Sequence, residues 1–265
     1  MSRRFKHRKH TKRHLHHTHF VKKKNQKKIF LWVIFLIILF ALVINYNKIN
    51  LANFTNNSPT YENPITKSYS NGIELILHQN VYDYFRNTAS HEYSAYYIPD
   101  DWEEDYYKMF LSNSKDEYII KDIVNQITTS TNSDGDKAVK KIVSFVQNIP
   151  YDWASLDSQS MYMKYPYEVL YENKGVCGEK AILMAKLLNE LGYGVALFNY
   201  ENEEHMAVGI DCSYDKSNYN SGYCFIEPSD VYPIGQIPQE YVGGANIRTA
   251  TPTIIKISQG KSYSK

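Results

Sequence analysis

The sequence has few cysteines and lacks the glycine-rich loops of nucleotide-binding proteins. No phosphate-binding loop follows any of its strand-like runs, so nothing indicates nucleotide binding. Its three cysteines include no C-x-x-C pair, which argues against a zinc site made of them and a histidine. No internal repeat is present, which argues against a repeat architecture. We therefore expect no metal and no cofactor.

Acidic residues are absent from positions 1–28, which hold 12 of the 30 Lys and Arg and six of the nine His. The rest of the chain has 18 basic against 28 acidic residues, a formal charge of −10. The tail could bind a metal through HLHHTH, or bind nucleic acid. Because it adjoins an apolar run, we instead expect it to contact anionic lipid, and we expect no nucleic-acid partner.

Charge is also missing from residues 29–47, which begin with sixteen apolar residues, IFLWVIFLIILFALVI. As a helix these residues span about 24 Å, which is shorter than a ~30 Å hydrocarbon core. Flanking asparagines and lysines can supply the remaining length. We predict one transmembrane helix in the lipid bilayer. A cleaved signal peptide is the rival, but the run is long and no small-x-small site follows. The basic tail predicts a cytoplasmic N-terminus and an outward-facing remainder, hence a single-pass protein of the cell membrane.

Beyond the apolar run we predict an Asn-rich stalk at 48–66, an N-terminal extension at 67–130 and a main domain at 131–265. The extension has a strand-like GIELILH and a helix-like DDWEEDYYKMFL. Helical periodicity occurs at 116–129, 134–148 and about 176–191. Strand-like runs follow: GVALFNY, HMAVGIDC, GYCFIEP and TPTIIKIS. Helices followed by consecutive strands predict an α+β fold with a mostly antiparallel sheet.

Cys177 lies in GVCG, between two glycines, at the start of the third helix. One apolar stripe defines that helix: Ala181, Met184, Leu187, Leu188 and Leu191. The unpaired N–H groups and the dipole of a helix N-terminus favour a thiolate, the nucleophilic form. The flanking glycines let substrate approach the sulfur. The alternative is a buried cysteine that only packs.

A nucleophilic cysteine needs a base and a group that orients the base. Six histidines precede the membrane segment, and of the remaining three His205 opens a strand, where a sheet edge can meet a helix N-terminus. The next strand supplies Glu227 as the orienting acid, with Asp230 as the alternative. A lone histidine at a strand start is otherwise more often a structural hydrogen-bonding residue.

The strand pairing decides whether these groups can meet. Paired residues of two antiparallel strands have numbers with a constant sum, and an even sum puts His205 and Glu227 on one face and Cys212 and Cys224 on the other. A disulfide between the two cysteines would leave Cys177 free. Direct pairing of the cysteines needs a sum of 436, whereas His205 opposite Glu227 needs 432. We expect either a β-bulge or unbonded cysteines.

The segments FVQNIPYDW, YPYEVLYENKGVCGEKAILMAKLLNELGY, HMAVGI and FIEPSD resemble, in order and spacing, the transglutaminase-like superfamily over about 130–230. The resemblance implies a papain-like triad with Cys177 as nucleophile, His205 as general base and acid, and Glu227 as orienting carboxylate. The family usually has Asp at the last position and often Thr two residues later, where this chain has Glu227 and Ser229.

An oxyanion would be stabilised by the backbone N–H of Cys177 and by a side chain from QNIPYDW. Gln147 is our candidate, although it could be a solvated helix residue, and Trp153 also has a donor. We expect Tyr151 and Trp153 to pack beneath the site.

Two functions follow. The first is a membrane-anchored cysteine enzyme that cleaves amide or isopeptide bonds through a Cys177 thioester, by hydrolysis rather than cross-linking, with a peptide or protein substrate such as cell-wall or surface peptides. The rival is a non-catalytic binding or scaffold domain at the cell surface that uses some of the 24 tyrosines.

Overall fold

The computed structural model describes residues 62–88, 102–157, 162–240 and 246–264. They belong to one compact unit, Tyr61–Lys265. Its helices are α1 (Gln79–Asn87), α2 (Trp102–Ser112), α3 (Glu117–Ser130), α4 (Gly135–Gln147), α5 (Trp153–Asp157), α6 (Pro166–Glu172) and α7 (Cys177–Glu190). Its strands are β1 (Pro64–Ser68), β2 (Glu74–His78), β3 (Val195–Tyr200), β4 (His205–Asp211), β5 (Tyr223–Ile226) and β6 (Thr253–Ser258).

Helix α7 lies at the centre of the core. It packs against α3, α4 and α6 and against strands β3 and β4. The sequence predicted one apolar stripe, yet every residue from Gly178 to Leu188 is buried, including Lys180 and Lys186. A helix covered on all sides must satisfy its polar side chains internally, because water does not reach them.

The main sheet has the order β5-β4-β3-β6, with every neighbouring pair antiparallel. Even-numbered residues of β4, such as Val208 and Ile210, join the helices in the main core. The opposite face holds a smaller cluster around Phe198, Ala207 and Phe225. This alternation follows from the period of two along a strand.

Strands β1 and β2 form a separate antiparallel hairpin. The predicted stalk 48–66 therefore ends too late, because its residues from Pro64 onward pair with β2. Leu75 and Leu77 of β2 lie in the same core as α7. The segment 67–130 thus shares one core with residues that follow it.

Within the described part of the chain, no helix has the length and apolar character needed to cross a bilayer. The predicted transmembrane segment 29–47 and the basic tail 1–28 lie outside the described residues. The mixture of helices and an antiparallel sheet fits the predicted α+β class.

Candidate active site

Cys177 is the first residue of α7 and is half-buried. The first turn is fixed by Glu179, whose carboxylate accepts the backbone N–H of Val176 at 2.9 Å and that of Lys164 at 3.0 Å. A glutamate at the third helical position satisfies N–H groups that the helix itself cannot pair. The sulfur is thereby held at a defined place beside the start of β4, with Sγ 3.9 Å from the carbonyl oxygen of Glu204.

His205 is the first residue of β4, and only 2% of its surface is exposed. Cys177 interacts with the His205 ring closely enough to raise its pKa. Its Nε2 lies 2.9 Å from Oε2 of Glu227. Because Nε2 is engaged with Glu227, Nδ1 is the ring nitrogen left to exchange a proton with the thiol.

Glu227 follows β5 and is fully buried. Its second oxygen, Oε1, accepts the backbone N–H of Ser229 at 2.8 Å and a hydrogen bond from the Ser229 hydroxyl. Both carboxylate oxygens are therefore occupied, which fixes the direction of the group. Ser229 lies two residues after the acid, at the position where the superfamily often has threonine.

Asp230, the alternative acid, is exposed, and its carboxylate accepts the neighbouring backbone N–H of Val231 at 2.7 Å. The structure therefore places Glu227, and not Asp230, beside the imidazole. The longer side chain of glutamate spans the distance from the end of β5 to the start of β4.

The β4–β5 register allows both the His205–Glu227 contact and the Cys212–Cys224 disulfide. The paired residues add to 434, as in Val208 with Ile226 and Ile210 with Cys224. His205 is consequently a diagonal neighbour of Glu227, and Cys212 is a diagonal neighbour of Cys224. In each pair the two residues are offset by two positions from direct pairing. Cys212 and Cys224 form a disulfide with a Cα–Cα distance of 5.8 Å. Our expectation of a bulge or unbonded cysteines was wrong, because it assumed direct pairing.

The electrostatics favour a protonated ring. Burial disfavours the imidazolium, but its interactions with the Cys177 and Glu227 side chains outweigh burial and raise the pKa of His205 from 6.5 to about 9. An imidazolium beside the sulfur attracts a thiolate, which is the nucleophilic form. The arrangement can store a proton on the ring while the sulfur attacks.

Gln147 does not offer a donor to an oxyanion, which corrects our candidate assignment. Only 7% of its surface is exposed, and its Nε2 donates to the carbonyl oxygens of Glu227 at 2.9 Å and Tyr232 at 3.0 Å. Nor is it a solvated helix residue. Its position four residues after Val143, on the apolar face of α4, was the signal for burial.

Trp153 does not pack beneath the site as expected, since 53% of its surface is exposed. Its ring lies 4.9 Å from that of half-buried Tyr151. The short α5 helix that begins at Trp153 brings the indole to the surface. The backbone N–H of Cys177 remains our candidate oxyanion donor.

Lys180 is a buried residue near the site that the sequence reasoning missed. It lies on α7, three residues after Cys177, and is fully buried. Burial lowers its pKa from 10.5 to about 8, against the opposing attraction of Glu227, Asp230 and Cys177. Lys180 lies four residues before Met184 and seven before Leu187, on the face of the apolar stripe, and this position was the sequence signal for its burial.

Among the described residues, no group of three or more His, Cys, Asp or Glu is arranged to hold a metal ion. The bonded pair of Cys212 and Cys224 is separate from the free Cys177, which contradicts a zinc site shared by all three.

Residues 121–206 match the family model of the transglutaminase-like superfamily. This segment, about a third of the chain, is therefore similar to the transglutaminase-like superfamily. It includes Cys177 and His205, whereas Glu227 lies beyond its end. Comparisons with curated proteins and with solved structures found no significant match. The superfamily resemblance of the sequence is thus confirmed over the segment that carries the cysteine and the histidine.

Proposed function

We propose that the chain is a transglutaminase-like cysteine enzyme that cleaves amide or isopeptide bonds. One arrangement carries the proposal: the buried ring of His205 is hydrogen-bonded to Glu227, and Cys177 lies beside it, with Sγ 3.9 Å from the carbonyl oxygen of the preceding residue, Glu204. Nucleophile, base and orienting carboxylate are the three parts that cysteine acyl-transfer chemistry requires. The match of residues 121–206 to the superfamily model supports the same reaction class.

In the acylation step, the Cys177 thiolate attacks the carbonyl carbon of the substrate. The C–N bond breaks as the His205 imidazolium passes its proton to the departing amine, which leaves a thioester on the sulfur. Glu227 holds the ring in place and stabilises its charged form. The first turn of α7 presents the backbone N–H of Cys177 towards a developing oxyanion.

In the second step, water attacks the thioester. His205 accepts a proton from the water and returns it to the sulfur as the C–S bond breaks, which releases a carboxylic acid and restores the enzyme. We infer hydrolysis rather than cross-linking. An amine in place of water would give transfer.

We further propose that residues 29–47 anchor the protein in a membrane, with residues 1–28 in the cytoplasm and the catalytic unit outside. The uncharged apolar run and the basic residues before it support this topology. An outward position would give access to peptides of the cell wall or cell surface, which we propose as the substrate class. The disulfide between Cys212 and Cys224 is in keeping with an oxidising compartment.

The non-catalytic alternative relied on tyrosines at the surface. Several of the largest buried side chains are tyrosines, namely Tyr165, Tyr167 and Tyr200. Tyrosine content therefore reflects the core as well as the surface and does not favour a binding domain. A half-buried cysteine beside a buried His205–Glu227 pair would also serve no purpose in a scaffold.

The test is incubation of the full chain with cell-wall peptides in ¹⁸O-labelled water, followed by mass spectrometry. We expect released fragments with ¹⁸O in the new carboxylate and a thioester on Cys177 after acid quenching. Cys177→Ala should give neither product. A fragment joined to an added amine would instead indicate transfer, and intact peptides with unmodified Cys177 would leave the binding domain as the better account.

A further inference from the structure

The ammonium group of Lys180 contacts three carbonyl oxygens from two segments of main chain. Its Nζ donates to the carbonyl oxygens of Ile149 at 2.7 Å, Gln147 at 3.2 Å and Ser229 at 3.4 Å. An ammonium has three donors and no acceptor, so three carbonyl partners use its full capacity. One side chain of α7 thereby ties the end of α4 to the loop after β5.

Gln147 makes a second connection between the same two regions. From the last residue of α4, its Nε2 reaches the carbonyl oxygens of Glu227 and Tyr232. We call Lys180 and Gln147 the carbonyl clamp. Together the two side chains hold the backbone of residues 227, 229 and 232, and thus both sides of the turn that carries Glu227.

The carbonyl clamp includes a buried charge, which is unfavourable in free energy. Burying an ammonium costs free energy unless a counter-charge is present, and in the described part of the chain no carboxylate forms an ion pair with Lys180. Lys186, two turns later on the same helix, is buried with Asp116 at 2.6 Å as its counter-ion. The two lysines therefore differ: Lys186 has an acid, whereas the hydrogen-bond partners of Lys180 in the described part of the chain are main-chain oxygens close to the segment that carries Glu227.

We propose that Lys180 and Gln147 are positioning residues that keep Glu227 in contact with His205. The inference builds on the proposed function, because that contact matters for catalysis only if Cys177 is a nucleophile. Neither side chain touches the sulfur or needs to touch the substrate. Their effect passes through the backbone of residues 227–229 to the carboxylate and then to the ring.

The test compares Lys180→Met with Lys186→Met in the full chain. Two readouts are used: the pKa of His205 from NMR of isotope-labelled histidine, assigned with His205→Ala, and the iodoacetamide alkylation rate of Cys177 at pH 6.5. In Lys180→Met we expect the pKa of His205 to fall towards 6.5 and alkylation to slow about tenfold, the change that one pKa unit produces. Lys186→Met should leave both unchanged even where it lowers the melting temperature.

Gln147→Met is the second variant, for the case that Lys180→Met does not fold. This variant should also lower the pKa of His205 and slow the alkylation of Cys177. The slowing should be only a few-fold, because the lost side chain is a neutral amide rather than a charged group. A folded clamp variant with wild-type readouts, or equal losses in Lys186→Met, would overturn the proposal. If wild-type Cys177 reacts no faster than free cysteine, the proposed function fails instead, and the pKa of His205 alone then decides whether the clamp positions Glu227.

Discussion

Replacement of Glu227 by glutamine removes a charge from the site and keeps its shape. The site raises the pKa of His205 from 6.5 to about 9, so it favours the imidazolium by roughly 3 kcal/mol, at 1.36 kcal/mol for each pKa unit. A hydrogen bond to a charged group contributes about 1.5 to 3 kcal/mol. Loss of the carboxylate should therefore lower the pKa of His205 to about 7 to 8.

The consequence is measurable at the sulfur. Transfer of the proton from thiol to ring becomes less favourable by the same free energy, so the thiolate population below pH 7 should fall by about tenfold or more. The assay is the iodoacetamide alkylation rate of Cys177 from pH 5 to pH 9, with the His205 titration followed by NMR. The loss should be largest at acid pH and shrink above pH 9, where the imidazolium of His205 is lost in the wild type as well.

Asp230→Asn is the matched control, because it removes an exposed carboxylate three residues away. It should leave the His205 titration and the alkylation profile within twofold of wild type. The reasoning is refuted if Glu227→Gln leaves both profiles unchanged, or if Asp230→Asn produces the loss that we assign to Glu227.

Two further predictions concern stability. Replacing both Cys212 and Cys224 by alanine removes a crosslink with a sequence separation of 12, which should lower the free energy of unfolding by about 3 kcal/mol in denaturant titrations; an unchanged midpoint would contradict the bond. Asp116→Ala leaves the Lys186 ammonium buried without its counter-ion and should cost about 3 to 5 kcal/mol, while Cys177 in the folded fraction keeps its alkylation rate.

The main elements around the site could be predicted from the sequence because their patterns are local. The period of α7 places Cys177 at a helix start, and alternation along the strands puts His205 and Glu227 on one face if the sum of paired residue numbers is even. The structure brings these three residues together, while their catalytic roles stay predictions. The helix that begins at Trp102 was also predicted, from the helix-like segment DDWEEDYYKMFL.

Contacts between distant segments could not be read from these patterns. The β4–β5 register depends on how the strands are offset, and alternation fixes only its parity. Strand β1 begins at Pro64 within an Asn-rich run and is defined by its pairing with β2. The carbonyl partners of Lys180 and Gln147 could not be predicted from their helices, because these partners lie as far as 85 residues away.

The most direct test of the account is the alkylation rate of Cys177 at pH 6 in the wild-type chain and in His205→Ala. A thiol that shares a proton with an adjacent imidazole should react at least tenfold faster than free cysteine at this pH, and the variant should lose that advantage. A slow rate in both proteins, or a fast rate that survives removal of the ring, would contradict the pairing of sulfur and imidazole.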